Sequence, residues 1–212
     1  MVSYEEMFQF VEQELAEYDA HGGAAKHKIR YSRIEHTRRV YRWMLWLYNA
    51  YPEKNTVDLN SLRVATIFHD SGYGQIERGE HAKAGAEICR KFLTEHKYSA
   101  EKIDFICDLI ARHSDKDILS QDIPPELVLL LEADLLDDTG AQGIVMDVWM
   151  EAMDENATFE SIAAHIGRFS CRQMSKNPMR TKEGQRIWEK KRALVEEFYS
   201  SYIEDLWQVM GK

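Results

Sequence analysis

The chain has 212 residues, 44% of them hydrophobic and 30% charged, a composition that excludes long disorder. Its formal net charge of −9 argues against general nucleic-acid binding, and three scattered cysteines with no CxxC pair argue against a disulfide framework or zinc knuckle. The acidic N-terminus is no secretory or transit signal and the most apolar run, Trp43 to Tyr51, is too short to span a bilayer, so a soluble cytoplasmic protein with no membrane role is expected.

Helical periodicity runs along the whole chain, with only four prolines to interrupt it. Met7, Phe8, Val11 and Leu15 mark a first amphipathic helix over Ser3 to Tyr18, and Ala20 to Arg30, with two glycines, reads as a loop. A second helix runs from Tyr31 to Tyr51 and stops before Pro52. Asn60 or Ser61 is expected to cap a third, which carries Val64, Ala65, Ile67 and Phe68 towards His69. Ser71-Gly72-Tyr73-Gly74 must turn. A fourth helix covers His81 to His96 and a fifth Ala100 to His113, with Cys89 and Cys107 as core thiols. The loop Ser114 to Ile123 precedes a sixth helix, Glu126 to Asp138, with Pro125 suited to its first turn. Further helices are expected over 141–154, 159–175 and 182–209, with Thr158 and Thr181 as caps. No segment alternates strictly enough for a strand, so the fold class is all-α, about eight or nine helices in a single domain.

Charge is unevenly spread. Residues 129–160 hold nine carboxylates and no Lys or Arg, whereas residues 165–192 hold nine Lys or Arg against Glu183 and Glu189. Such a run is either a solvated helix face or an anion-binding rim.

The adjacent pair His69-Asp70, between an apolar helix and a glycine turn, costs desolvation energy unless a partner or a metal satisfies it. His36 lies mid-helix among Ile34, Val40 and Trp43, and Asp134 sits in LVLLLEADLLDD beside a buried face. Singly, each is more often a satisfied core group than a ligand. Together, two histidines and two aspartates from three helices suit a divalent ion.

In that order these residues resemble the HD-domain superfamily of metal-dependent phosphohydrolases. His36-Thr37-Arg38-Arg39-Val40 is similar to the H-x-x-R-V start of one bacterial branch, and Ile67 to Tyr73 to its HD-x-G-Y segment. His81 to Ala86, Ala133 to Asp137 and the basic helix Thr181 to Arg192 look like its later elements. The resemblance implies an HD-type domain over residues 1–212, its metal-site core at 31–140 and helices 141–210 completing the pocket. It implies His36, His69, Asp70 and Asp134 as metal ligands, two further coordination positions being left for water and a phosphate oxygen. Two imidazoles favour Mn²⁺, Fe²⁺, Co²⁺ or Ni²⁺ over Mg²⁺.

His81 and His113 are either substrate contacts beside one ion, the arrangement expected here, or ligands of a second ion bridged by Asp70. Related single-metal nucleotidases carry a glutamate where this chain has Gly72-Tyr73, so their acid–base group does not carry over. Glu77, Glu80, Asp137 and Asp138 are the local candidates, and Asp137 also reads as a residue that orients a ligand histidine. Asp70, His81, His113 and Asp137 are the catalytic candidates; Arg39, Lys83, Arg112, Arg168 and Lys182 are the candidates for phosphate contacts. His21, His27, His96 and His165 read as surface residues. The expected activity is hydrolysis of a small phosphorylated substrate, a nucleotide foremost. A mixed-valent di-iron oxygenase and a non-catalytic nucleotide-binding module are the alternatives on the same scaffold, and the aromatic C-terminal helix permits a homodimer.

Overall fold

A computed structural model describes residues 2–21, 32–75 and 80–209, and every regular element among them is helical. In chain order these are α1 (Tyr4–His21), α2 (Arg33–Ala50), α3 (Leu59–Phe68), α4 (His81–Glu95), α5 (Ala100–Arg112), α6 (Pro125–Asp137), α7 (Ala141–Glu151), α8 (Phe159–Ile166), α9 (Arg172–Met174) and α10 (Lys182–Val209). Short 3-10 turns lie at Lys54–Thr56, Ser71–Gly74 and Lys116–Ser120, and a π turn, Gly167–Cys171, joins α8 to α9. The chain divides into two compact units, Met1–Asp134 and Leu135–Lys212. No described helix is long and apolar enough to cross a membrane.

In the first unit α3 is the central helix, touching α1, α2, α4 and α5. Leu62, Ala65, Ile67 and Phe68 are fully buried on it, which is why this short helix is apolar almost all round. Phe10, Phe68 and Phe92 close a triangle of tilted rings with centroids 4.7 to 6.0 Å apart, tying α1 and α4 to α3. Cys89 and Cys107 are buried thiols, as their apolar surroundings imply.

Several boundaries differ from the sequence reading. α1 continues to His21 rather than ending at Tyr18, while residues 22–30 of the expected loop, with His27, and Tyr31 lie outside the described residues. α2 begins at Arg33, with Ser32 as its cap. The cap of α3 is Asp58, not Asn60 or Ser61: its carboxylate accepts from both of their backbone N–H groups at 3.1 Å and from the Ser61 hydroxyl at 2.8 Å. A carboxylate two and three residues upstream can reach both amides, whereas Asn60 and Ser61 already lie inside the first turn. The Asp58 N–H in turn donates to the buried carboxylate of Glu126, 2.6 Å away. Asp58→Ala is therefore expected to lower stability by about 1 kcal/mol, read as a fall in the urea midpoint at unchanged m-value.

In the second unit α8 packs on α7, and α10 lies against α7, α8, the π turn and α9. Thr158 caps α8 in a reciprocal box with Ser161, and the Thr181 hydroxyl accepts from the Gly184 N–H at 2.9 Å. The helix expected over 159–175 is interrupted by the π turn, where the Ser170 N–H and hydroxyl both donate to Asp147 and draw the chain out of α-helical register. His165, expected at the surface, is half-buried, with Nδ1 2.8 Å from Glu151. His96 is exposed, as expected, and the His21 side chain lies outside the described residues.

Candidate metal centre

Helix ends build the site, all of it within the first unit. α3 delivers His69 as its C-terminal cap, and the chain then places Asp70 before the Ser71–Gly74 turn. α4 begins at His81, α5 is capped by His113, α2 contributes His36 from its second turn and α6 contributes Asp134. These six residues are all buried.

The two oxygens of Asp70 face different partners. Oδ2 lies 3.4 Å from His36 Nε2 and 3.6 Å from His69 Nε2. Oδ1 lies 3.3 Å from His113 Nε2 and 3.5 Å from His81 Nε2, and these two nitrogens are themselves 3.3 Å apart. Asp134 Oδ1 completes the first group at 3.2 Å from His36 Nε2 and 3.8 Å from His69 Nε2. Three overlapping sets from these residues, His36–His69–Asp70, His69–His113–Asp134 and Asp70–His81–His113, each bring their ligand atoms within 4.8 Å of one another.

Protonation is decided by what each ring already holds. His69 Nδ1 lies 2.8 Å from the Thr66 carbonyl and His113 Nδ1 2.7 Å from the Ile110 carbonyl, so each ring donates there and turns the Nε2 lone pair inward. His69 Nε2 is fully buried with no hydrogen-bond partner. Burial, only partly opposed by Asp70 and Asp134, lowers the His69 pKa to about 4, so the ring stays neutral at pH 7. Burial likewise takes His81 to about 4. Burial alone would raise Asp70 and Asp134. Asp70 is instead held well below the usual carboxylate range by His69, the His113 hydrogen bond and Arg33, and Asp134 by Lys116 and His36. Neutral imidazoles beside two ionised carboxylates make a donor set that suits a divalent transition-metal ion.

Three further residues join the cluster without having been singled out from the sequence. Arg33 Nη1 donates to Asp70 Oδ2 at 3.0 Å and its guanidinium lies 4.0 Å above the Tyr73 ring, which stacks on His81 at 4.2 Å. Lys116 donates to Asp134 and to the His113 carbonyl. Arg33 stands three residues before His36 on one helix, and that spacing is the signal that could have found it once the inward face was known. Lys116 lies in the turn beyond the end of α5, where helical spacing gives no such signal.

Several of the remaining candidates lie away from the cluster. Arg39 lines a shallow hollow with Arg42, Trp43 and Trp46. Lys83 is exposed on α4, and Arg112 pairs at 3.1 Å with Asp108 on the outer face of α5. Glu80 is exposed and Glu77 lies outside the described residues. Asp137, Asp138, Arg168 and Lys182 belong to the second unit. There Asp137 faces Lys191, and Arg168 is exposed beside the Phe169 ring. Lys182 is exposed at the start of α10.

The family model of the HD domain matches residues 33–139. A curated relative, the CC-adding tRNA nucleotidyltransferase of Thermus thermophilus, is 28% identical over an alignment of 136 positions that covers 54% of this chain and 29% of that protein's length. An HD-superfamily hydrolase structure from Bacillus thuringiensis is 20% identical, covers 96% of each chain and superposes with a TM-score of 0.68. Bacillus subtilis YpgQ in complex with ADP is 17% identical, with 95% of this chain and 94% of that one covered and a TM-score of 0.67. At these identities the two structures establish likeness of fold.

Proposed function

The chain belongs to the HD-domain family, and we propose that it is a metal-dependent phosphohydrolase acting on a small phosphorylated substrate, a nucleotide foremost. The observation that carries this reading is the buried Nε2 of His69, which lacks a hydrogen-bond partner and faces two ionised carboxylates. An orphaned lone pair in that position is satisfied by a cation. We assign His36, His69, Asp70 and Asp134 as the ligands. A divalent ion held there supplies a lowered pKa for water and polarisation of a phosphoryl oxygen.

The chain's own groups do the rest. Thr66 and Ile110 hold His69 and His113 in the tautomer that presents Nε2 inward. Arg33 and Lys116, the cations that reach the carboxylates, are assigned to phosphate oxygens in preference to Arg39, Lys83 and Arg112. A nucleotide is supported by the tRNA nucleotidyltransferase relative and by the ADP bound to the Bacillus subtilis neighbour.

One observation favours a second ion through His81 and His113 over a purely substrate-binding role for them. Asp70 gives one oxygen to each histidine group, as a bridging carboxylate does. The purified chain is therefore expected to hold two divalent ions, falling to one in His113→Asn. One ion in both proteins would return His81 and His113 to substrate contact.

Metal content by mass spectrometry, followed by phosphate release from nucleotides with Mn²⁺, Mg²⁺, Co²⁺ and Ni²⁺, tests the reading directly. Two irons with oxygen consumption and no phosphate release would replace it with the oxygenase chemistry. Tight nucleotide binding with no turnover under any metal would make the chain a binding module.

A further inference from the structure

The first unit contains a second cavity, of about 640 Å³, which shares no residue with the metal centre. It opens where α3 and α5 begin and α4 ends, the opposite ends of the same three helices that meet at the metal centre. Along α3 from Ser61 to His69 the separation is about 12 Å, and along α5 from Lys102 to His113 about 16 Å. A substrate held at the metal centre would not fill it.

Its lining has a definite polarity. The floor is apolar, formed by Val64 and Ile106, which are 2% and 1% exposed. Tyr4 and Tyr98 form the walls, and the Tyr4 hydroxyl is fixed by donation to Asn60 Oδ1 at 2.7 Å. The mouth carries Lys97, Lys102 and His96. Two carboxylates stand at this end: Glu6, which is committed to the Ser3 N–H and hydroxyl at 2.7 and 2.8 Å, and Asp58, which lies 3.8 Å from the half-exposed Lys102 and is already committed to capping α3. An exposed pair at that distance leaves the lysine able to bind an anion.

Lys97 adds an independent observation. It ends α4 at φ +59, and among the described residues it is the only non-glycine residue with positive φ. The Tyr98 N–H returns to the Leu93 carbonyl at 3.1 Å, the hydrogen bond of a helix ending that glycine fits best. A lysine there bears a backbone cost that glycine would not, and it is among the residues lining the cavity.

We propose that this cavity is a binding site, separate from the metal centre, for a small planar apolar molecule bearing one carboxylate or comparable anion. Its volume suits a ring compound, its floor and walls accept the ring, and its lysines accept the charge.

The test is titration of the full-length chain with 2-naphthoate and with its neutral counterpart 2-naphthamide, by calorimetry. Naphthoate is expected to saturate one site per chain and to bind more tightly than the amide. The double variant Lys97→Gly, Lys102→Ala should weaken naphthoate binding about tenfold and abolish the preference for the acid. Lys97→Gly alone should melt no lower than wild type, because glycine relieves the strained φ, so lost binding could not be ascribed to unfolding. Val64→Phe, checked for its melting temperature, should block both compounds. Absence of saturable binding would overturn the site, as would naphthoate affinity unchanged in the double variant.

Discussion

Asp70→Ala is expected to strip the chain of divalent metal and to lower phosphate release on the order of a thousandfold, about 4 kcal/mol of transition-state stabilisation. No other residue in the cluster faces so many partners. One oxygen faces His36 and His69, and the other faces His81 and His113. Removing the carboxylate therefore takes a ligand from both proposed ion positions at once. It also leaves Arg33 without its 3.0 Å carboxylate partner in a largely buried site. Metal content after gel filtration is the first readout and initial rates on the preferred nucleotide the second. Asp70→Asn, which keeps shape and loses charge, separates electrostatics from packing and should also lose most of the metal. Retained metal and unchanged phosphate release in Asp70→Ala would remove the proposed centre.

Gly72→Ala should damage the first unit severely for the addition of a single methyl. A Cβ at that position would lie 2.1 Å from the His81 carbonyl oxygen, 2.6 Å from the Gly85 nitrogen and 2.9 Å from the Ala84 Cβ. Two of the three are backbone atoms in the first turns of α4, so no rotamer change can relieve the contact. The helix must retreat and take His81 away from Asp70. Overpacking of this kind costs about 3 kcal/mol, which corresponds to a fall of roughly 6–12 °C in melting temperature for a chain of this size. Gly85→Ala is the graded control, since its Cβ would meet the Phe68 and His69 carbonyls at only 3.1 and 3.2 Å. The expected order of melting temperature is wild type, Gly85→Ala, Gly72→Ala, with metal affinity in the same order. A Gly72→Ala protein that melts with wild type would show that α4 can shift freely against the turn.

Much of the candidate site was legible because its residues sit at helix ends or among apolar neighbours, where an unsatisfied polar group stands out. The doublet His69-Asp70 before two glycines, and Asp134 in a run of leucines, are cases of this kind. Arg33 and Lys116 did not stand out, because an arginine or lysine on a helix is ordinarily solvated. Only the orientation of α2 and the turn after α5 bring their charges to buried carboxylates. Arg112 shows the reverse: it lies next to His113 in the chain, yet one residue of helical rotation turns it outward to Asp108.

By itself the sequence determined the all-helical class and the approximate helix spans and marked out buried histidines and aspartates as candidates for a metal site, since these follow from 3.6-residue periodicity, caps and the cost of burying polar groups. The tertiary structure decided how the four histidines of the cluster divide between the two oxygens of Asp70. Contacts within the cluster join residues as far apart in the chain as His36 and Asp134, and their distances depend on how helix ends converge around α3. Helix packing likewise placed Lys97 and Lys102 at the mouth of a second cavity, which no local pattern in the chain encodes.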